Sequence, residues 1–261
     1  MTETSSIPDH VKPFIHETLT SKSLFFSSHH IQSSMHILQP DELQFEYTRL
    51  MMGFLLFNPH PRKLLMIGLG GGSLAKFCHR YLPQTHITVV EINPYVIALR
   101  RDFAVPDDDE RFAIIQDDAA KYVCTTDSKF DVLLADGFDI SGLPEQLSTK
   151  HFYENCRNIL TPMGVFIANL HRCNQWFDIY IDRMSAAFDA PLLKVNDPGA
   201  TNCIAFAIND DQWQDGNKVG MRRPQQIEEQ AWKEILPSIA RVFLAARELR
   251  RCHRMTQLQP G

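Results

Sequence analysis

The chain has 261 residues, 44% of them hydrophobic and 22% charged, with a formal net charge of −5. That is the composition of a globular protein with one large domain, or one domain and a small appendage. The acidic balance argues against a nucleic-acid-binding body, and the longest apolar run, eight residues over 50–57, is too short to cross a bilayer.

Residues 1–22 are polar and irregular. They lack the basic-then-apolar order of a secretory signal, so a cytoplasmic location is expected. SLFFSS (23–28) and IQSSMHIL (31–38) read as a short β-hairpin around His29 and His30. A helix is expected over 41–57, with Asp41 as its N-cap after Pro40, ended by NPHP at 58–61. From Lys63 the pattern changes to apolar runs of strand length: KLLMIG, HITVVEI (86–92), FAIIQD (112–117), DVLLAD (131–136) and GVFIANL (164–170). Helices fall between them, one ending near Tyr81, one starting at Pro94 and one over 149–160. Runs this apolar suit strands covered on both faces, and their alternation with helices predicts an α/β, doubly wound, mostly parallel sheet.

After a helix over 176–188, PLLKV and CIAFAI read as a late hairpin at the sheet edge. A polar linker follows over 210–224. The helix over 225–252 carries one apolar stripe, Ile235, Ile239, Val242, Ala246 and Leu249, which predicts packing on the parent domain. Pro237 is expected to kink or restart it. Between Arg222 and Arg254 eight basic residues face four acidic ones, so the remainder carries −9, a mild preference for a cationic small substrate. The six cysteines form no CxxC pair and read as reduced, mostly buried thiols; neither His29-His30 nor His171-Arg172-Cys173 has a zinc-type spacing, so no metal is expected.

Ligands of such a sheet bind at the carboxyl ends of the strands, where strand order reverses. The first strand of the alternating series ends in Gly68-Leu69-Gly70-Gly71-Gly72, the second in Glu91, the third in Asp117 and the fourth in Asp136. A purely structural sheet has no need of three successive carboxylates there. Glu91, about twenty residues beyond the glycines, can accept both hydroxyl hydrogens of a ribose, in NAD or an S-adenosyl compound alike. Ser73 stands where the dinucleotide fingerprint needs its third glycine, and the ending of a phosphate-binding loop is absent. Asp117 can accept from an adenine amine, with Asp118 as its neighbour or as the cap of the next helix. Asp136 and Asp139, three apart in DGFDISGLP, can hold an ammonium group, and one of them can take its proton. An Asp-rich turn is the competing reading.

The series MIGLGGGS, VVEINP, QDDA, LADGFD and GLPEQLSTKHFYENCRNILTPMGVFIANL resembles the spermidine synthase (polyamine aminopropyltransferase) family over roughly residues 41–170. The resemblance implies a methyltransferase-like, Rossmann-type seven-stranded sheet with a short N-terminal β-hairpin region and a C-terminal helix. The implied domains are 1–40, a short β region; 41–210, an S-adenosyl-compound-binding catalytic domain; and 211–261, a linker and helical extension. It implies aminopropyl transfer from decarboxylated S-adenosylmethionine to a small amine such as putrescine, without a metal. Glu91 would bind the ribose, Asp117 the adenine, Asp136 would be the general base, Asp139 would hold the polyamine, and Tyr47, matched through Phe45-Glu46-Tyr47, would lie beside the reacting centre. A homodimer is also implied, with neither nucleic acid nor membrane as partner.

Two departures carry consequences. Gly71 stands where the family places the Asp that holds the donor's amine, and Leu43-Gln44 replaces an acidic pair. An Asp would repel the carboxylate of intact S-adenosylmethionine and Gly71 would not, so a methyltransferase on the same scaffold is the alternative. The short N-terminal region leaves a third reading, a nucleoside-binding protein with a decayed site.

Overall fold

The computed structural model describes residues 10–27, 30–139, 142–208 and 221–257. An N-terminal antiparallel sheet is built from β1 (Phe14–Glu17), β2 (Ser21–Ser27) and β3 (His30–His36), in that order. The expected hairpin is therefore present as β2–β3, and β1 adds a third strand inside the stretch read as irregular. Its Phe14 stacks on the cross-strand neighbour Phe25 with ring centroids 5.4 Å apart, the kind of pair that stabilises a small sheet.

The helix expected over 41–57 is shorter. It comprises α1 (Glu46–Met51) and a 3-10 turn over Met52–Leu56. Asp41 does not cap it. Phe45 occupies the N-cap position, and Asp41 instead accepts from Arg80 at 3.0 Å.

The main sheet has strands β4 (Lys63–Ile67), β5 (His86–Glu91), β6 (Phe112–Gln116), β7 (Phe130–Ala135), β8 (Leu160–His171), β9 (Leu193–Asn196) and β10 (Asn202–Ile208). Their order is β6-β5-β4-β7-β8-β10-β9. The first five are parallel, while β10 runs antiparallel to both β8 and β9, so the late hairpin lies at the edge as expected. The crossovers are α2 (Ser73–Tyr81), α3 (Pro94–Ala98), α4 (Ala119–Thr125), α5 (Lys150–Asn158) and α6 (Phe177–Phe188).

The twofold periodicity of the strands divides their side chains between two cores. Leu64, Met66, Val132, Leu134, Val165, Ile167, Ile204 and Phe206 face α1, α2 and a C-terminal helix; Leu65, Ile67, Leu133, Phe166, Ala168, Ala205 and Ala207 face α4, α5 and α6. Full burial of each large aliphatic chain is worth about 1.5–3 kcal/mol. That C-terminal helix, α7 (Glu229–Gln257), buries Ile235, Ile239, Val242 and Ala246 against the first core, as its stripe predicts. It continues through Pro237 rather than restarting there.

Polar contacts reinforce the α7 docking. Glu234 accepts from Leu43 N at 2.7 Å and sits 3.7 Å from Arg49, and Ser238 donates to Glu46 at 2.7 Å. These contacts fix α1, the helix that carries Tyr47. All six cysteines are free, but only Cys78, Cys156 and Cys203 are buried; Cys124, Cys173 and Cys252 are exposed, against the expectation of mostly buried thiols. Among the described residues no helix is long and apolar enough to cross a membrane. Of the expected linker over 210–224, positions up to 220 lie outside the described residues, as does His29.

Candidate active site

Strand order reverses at β4, whose neighbours β5 and β7 lead away in opposite directions; the crevice between the β4 and β7 ends is the topological place for a ligand. The backbone draws the two ends together. Asp136 N donates to Ile67 O of β4, and on the other side of β4 Gly68 N donates to Val90 O of β5, each at 2.9 Å. Gly68 has φ +90°, and a Cβ there would strike the Asp136 carbonyl, so this glycine lets the two loops touch.

The other loop glycines are not equivalent. A Cβ on Gly71 would lie 2.5 Å from Ser33 Oγ and 3.0 Å from Phe103, and one on Gly72 would strike Val105. Both are packed against protein. Gly70, with φ +52°, would meet only Ser33 Cβ at 3.8 Å, so it leaves room for a ligand to approach the backbone.

Glu91 is buried at the end of β5 and accepts two main-chain hydrogen bonds, from Leu69 N to Oε2 and from Asn93 N to Oε1, each at 2.8 Å. Burial raises its pKa, and the main-chain groups of Asn93, Leu69 and Ile92, followed by His10, oppose the rise. It thereby ties the glycine loop to the start of α3 while keeping lone pairs for a diol. Asn93 caps α3 through Tyr95 N and also donates from Nδ2 to Val11 O at 2.9 Å, so the N-terminal segment lies along this side. After β6, Asp117 accepts from Asp118 N at 2.9 Å and faces Lys121 at 3.8 Å. Asp118 caps α4 by accepting from Ala120 N at 2.8 Å.

Asp136 is built differently. It receives Tyr47 Oη on Oδ2 at 3.2 Å and Asn169 Nδ2 on Oδ1 at 2.9 Å, both from side chains distant in sequence. Burial raises its pKa, against the lowering effects of Asn169, Tyr47 and then His171. Burial also raises Tyr47 well above the ordinary phenol value, with Asp136 adding to the shift, so Tyr47 donates rather than ionises. Beyond Asp136 the loop closes on itself: Asp139 N donates to Gly142 O at 2.9 Å, and Phe138 stacks on His171 with centroids 4.2 Å apart. Asp139 is exposed at the mouth.

The structure thus brings Gly68, Gly70, Gly71, Gly72 and Glu91 into one cluster, and joins Tyr47 to Asp136 by a hydrogen bond. Asp118 is committed to its helix cap. Asn169, Asn202, His171 and Ser33 were missed by sequence reasoning. The available signal for the first two was an asparagine inside, or opening, an otherwise apolar strand. The residues fit an adenosyl sulfonium compound in kind: a close-approach glycine, a diol acceptor and carboxylates that favour a cation. A site with this donor set can bind a nucleoside at one end and abstract a proton at the other.

A family profile described as the spermine/spermidine synthase domain matches residues 44–181. The polyamine aminopropyltransferase of Chromobacterium violaceum is 40% identical over 182 residues, 69% of this chain and 69% of its own length. A probable spermidine synthase from Corynebacterium glutamicum superposes with a TM-score of 0.66 at 21% identity, covering 85% of this chain and 90% of that one. Human methyltransferase-like protein 13, solved in complex with SAH, superposes with a TM-score of 0.59 at 25% identity, covering 78% and 93%.

Proposed function

The chain belongs to the spermine/spermidine synthase family and is a transferase, and from that premise we propose that it moves an aminopropyl group from decarboxylated S-adenosylmethionine to a small amine such as putrescine. The observation that carries the reading is the Asp136 carboxylate, held between Tyr47 and Asn169 at the reversal of strand order.

A protonated amine has no lone pair to attack with. On this reading Asp136, ionised, takes the proton from the acceptor nitrogen. The new N–C bond forms at the carbon attached to the sulfonium as the C–S bond breaks, and sulfur leaves with the bonding pair as a neutral thioether. The positive sulfur activates the leaving group by itself. Glu91 would receive the ribose hydroxyls, Asp117 the adenine amine, and Gly70 the close approach of the donor chain. Asp139, at the mouth, would hold the far ammonium of a diamine. Fixing both substrates in line can supply up to about 7–11 kcal/mol of the barrier reduction.

The Gly71–Ser33 contact supports a second reading. With no carboxylate at position 71 and the Ser33 hydroxyl against it, nothing at this position repels the carboxylate of intact S-adenosylmethionine. Methyl transfer is therefore the alternative, on a fold shared with the SAH-bound human protein. Incubation with putrescine and each donor in turn, followed by product mass, decides. Gain of an aminopropyl group from the decarboxylated donor is expected. Gain of a methyl group from the intact donor would establish the second reading, and no transfer from either would refute both.

A further inference from the structure

Asp136 is joined to a line of side chains that runs across three strands of the sheet. Asn169, near the end of β8, donates from Nδ2 to Asp136 Oδ1 at 2.9 Å. Its Oδ1 accepts from Asn202 Nδ2 at 2.8 Å. Asn202 opens the antiparallel strand β10, and its backbone N–H donates to Asp197 Oδ1 at 3.1 Å in the β9–β10 turn. Both amides are buried, at 3% and 7% exposure, in strands whose other side chains are almost all apolar. Two buried amides in such surroundings are costly unless satisfied, and they have no part in the sheet ladder.

The direction of the line follows from chemistry. An ionised carboxylate only accepts, so Asn169 must turn its NH2 to Asp136 and its oxygen to Asn202, and Asn202 must then present its own NH2. Every N–H dipole in the line points toward Asp136. Asn202 thereby removes the freedom of Asn169 to present its oxygen instead.

We propose that Asn169, set by Asn202, is a positioning residue that fixes the plane of the Asp136 carboxylate against the acceptor amine. The proposal rests on the reading of Asp136 as the base. Asn169 works through Asp136, and Asn202 works only through Asn169. The line favours the charged form of Asp136 against the burial that opposes it, so breaking it moves the pH at which the base becomes competent upward. The other groups acting there are Tyr47 and His171, which the variants leave in place.

The test is the pH dependence of kcat at saturating donor and amine for Asn169→Ala, Asn202→Ala and the double variant, with melting temperature recorded for each. Asn169→Ala is expected to lower kcat about ten-fold or more, as loss of a hydrogen bond to a charged group does, and to shift the acid limb to higher pH with the amine KM little changed. Asn202→Ala shifts the same limb in the same direction by less. The double variant is no worse than Asn169→Ala. Should Asn169→Ala fail to fold, the Asn202→Ala limb decides, since that variant keeps the Asp136–Asn169 contact. An unmoved limb, or an Asn202→Ala loss that adds in full to that of Asn169→Ala, overturns the proposal. Asp136→Asn separates the two levels. If it retains turnover, the reading of Asp136 as base fails and this inference with it; if it is inactive while the limbs stay fixed, only this inference fails.

Discussion

The two ends of the crevice hold their carboxylates by different means. Glu91 is satisfied by main-chain N–H groups of Leu69 and Asn93, within 22 residues of it in sequence. Asp136 is satisfied by side chains of Tyr47 and Asn169, 89 and 33 residues away. The Glu91 end is therefore a property of strand–loop–helix geometry, while the Asp136 end depends on individual side chains delivered by α1, β8 and β10. At the first end only Glu91 itself is a side chain and its partners are main-chain groups; at the second both partners are side chains that can be lost one at a time.

The largest expected break in this contrast is Asp136→Asn. If Asp136 is the base, kcat falls about 10²- to 10⁴-fold, while calorimetric donor affinity stays within about three-fold because the Glu91 end is untouched. Stability should move the other way. Burial raises the native-state pKa of Asp136, so the fold favours the protonated form, and its contribution to stability is lost as pH rises through the raised value. Asp136→Asn therefore melts at an equal or higher temperature at neutral pH, with the advantage vanishing below the ordinary Asp value of about 4.

Glu91→Gln probes the opposite end. Replacing a charged acceptor by a neutral one costs about 1.5–3 kcal/mol, so donor Kd rises roughly 10- to 100-fold by calorimetry, with kcat at saturating donor preserved. Gly71→Asp sharpens the contrast at the contact between the glycine loop and β3. Ser33 fills the space, and overpacking of this kind costs about 1–3 kcal/mol in denaturant unfolding; Ser33→Gly in the same chain should recover most of it. Tyr47→Phe removes one of the two side-chain donors to Asp136 and lowers kcat about ten-fold, leaving donor affinity alone. The smallest effect is expected for Glu234→Gln, which keeps an acceptor for Leu43 N but weakens the tie to Arg49. A partly exposed pair of this kind is worth about 0–1 kcal/mol, so steady-state kcat drops only a few-fold as α1 loosens.

The same contrast explains what the sequence made legible. Strands β4 to β10, the edge hairpin and the docking stripe of α7 follow from periodicity, which local chemistry determines. Glu91 and Asp136 stand out in the sequence because each ends its strand or directly follows it. Tyr47 is singled out only through a resemblance, since nothing local to it points to a residue 89 positions away. Asn169 and Asn202 could not be paired from sequence, because their contact depends on β10 inserting antiparallel between β8 and β9. Asp41 was assigned to a helix start that α1 does not use; its attraction to Arg80 is a tertiary contact. The strand β1 lies in a polar stretch where the pairing of Phe14 with Phe25 needs the register to be known.

Asp136, half-buried between Tyr47 and Asn169, is proposed to act as a base. The pH dependence of kcat at saturating donor and amine tests this most directly, with wild type and Asp136→Asn measured side by side. Wild type should show one ionisation on the acid side, above the ordinary range of an aspartate, and that ionisation should be missing from the residual turnover of Asp136→Asn. An acid limb of the same position in both proteins would contradict the account.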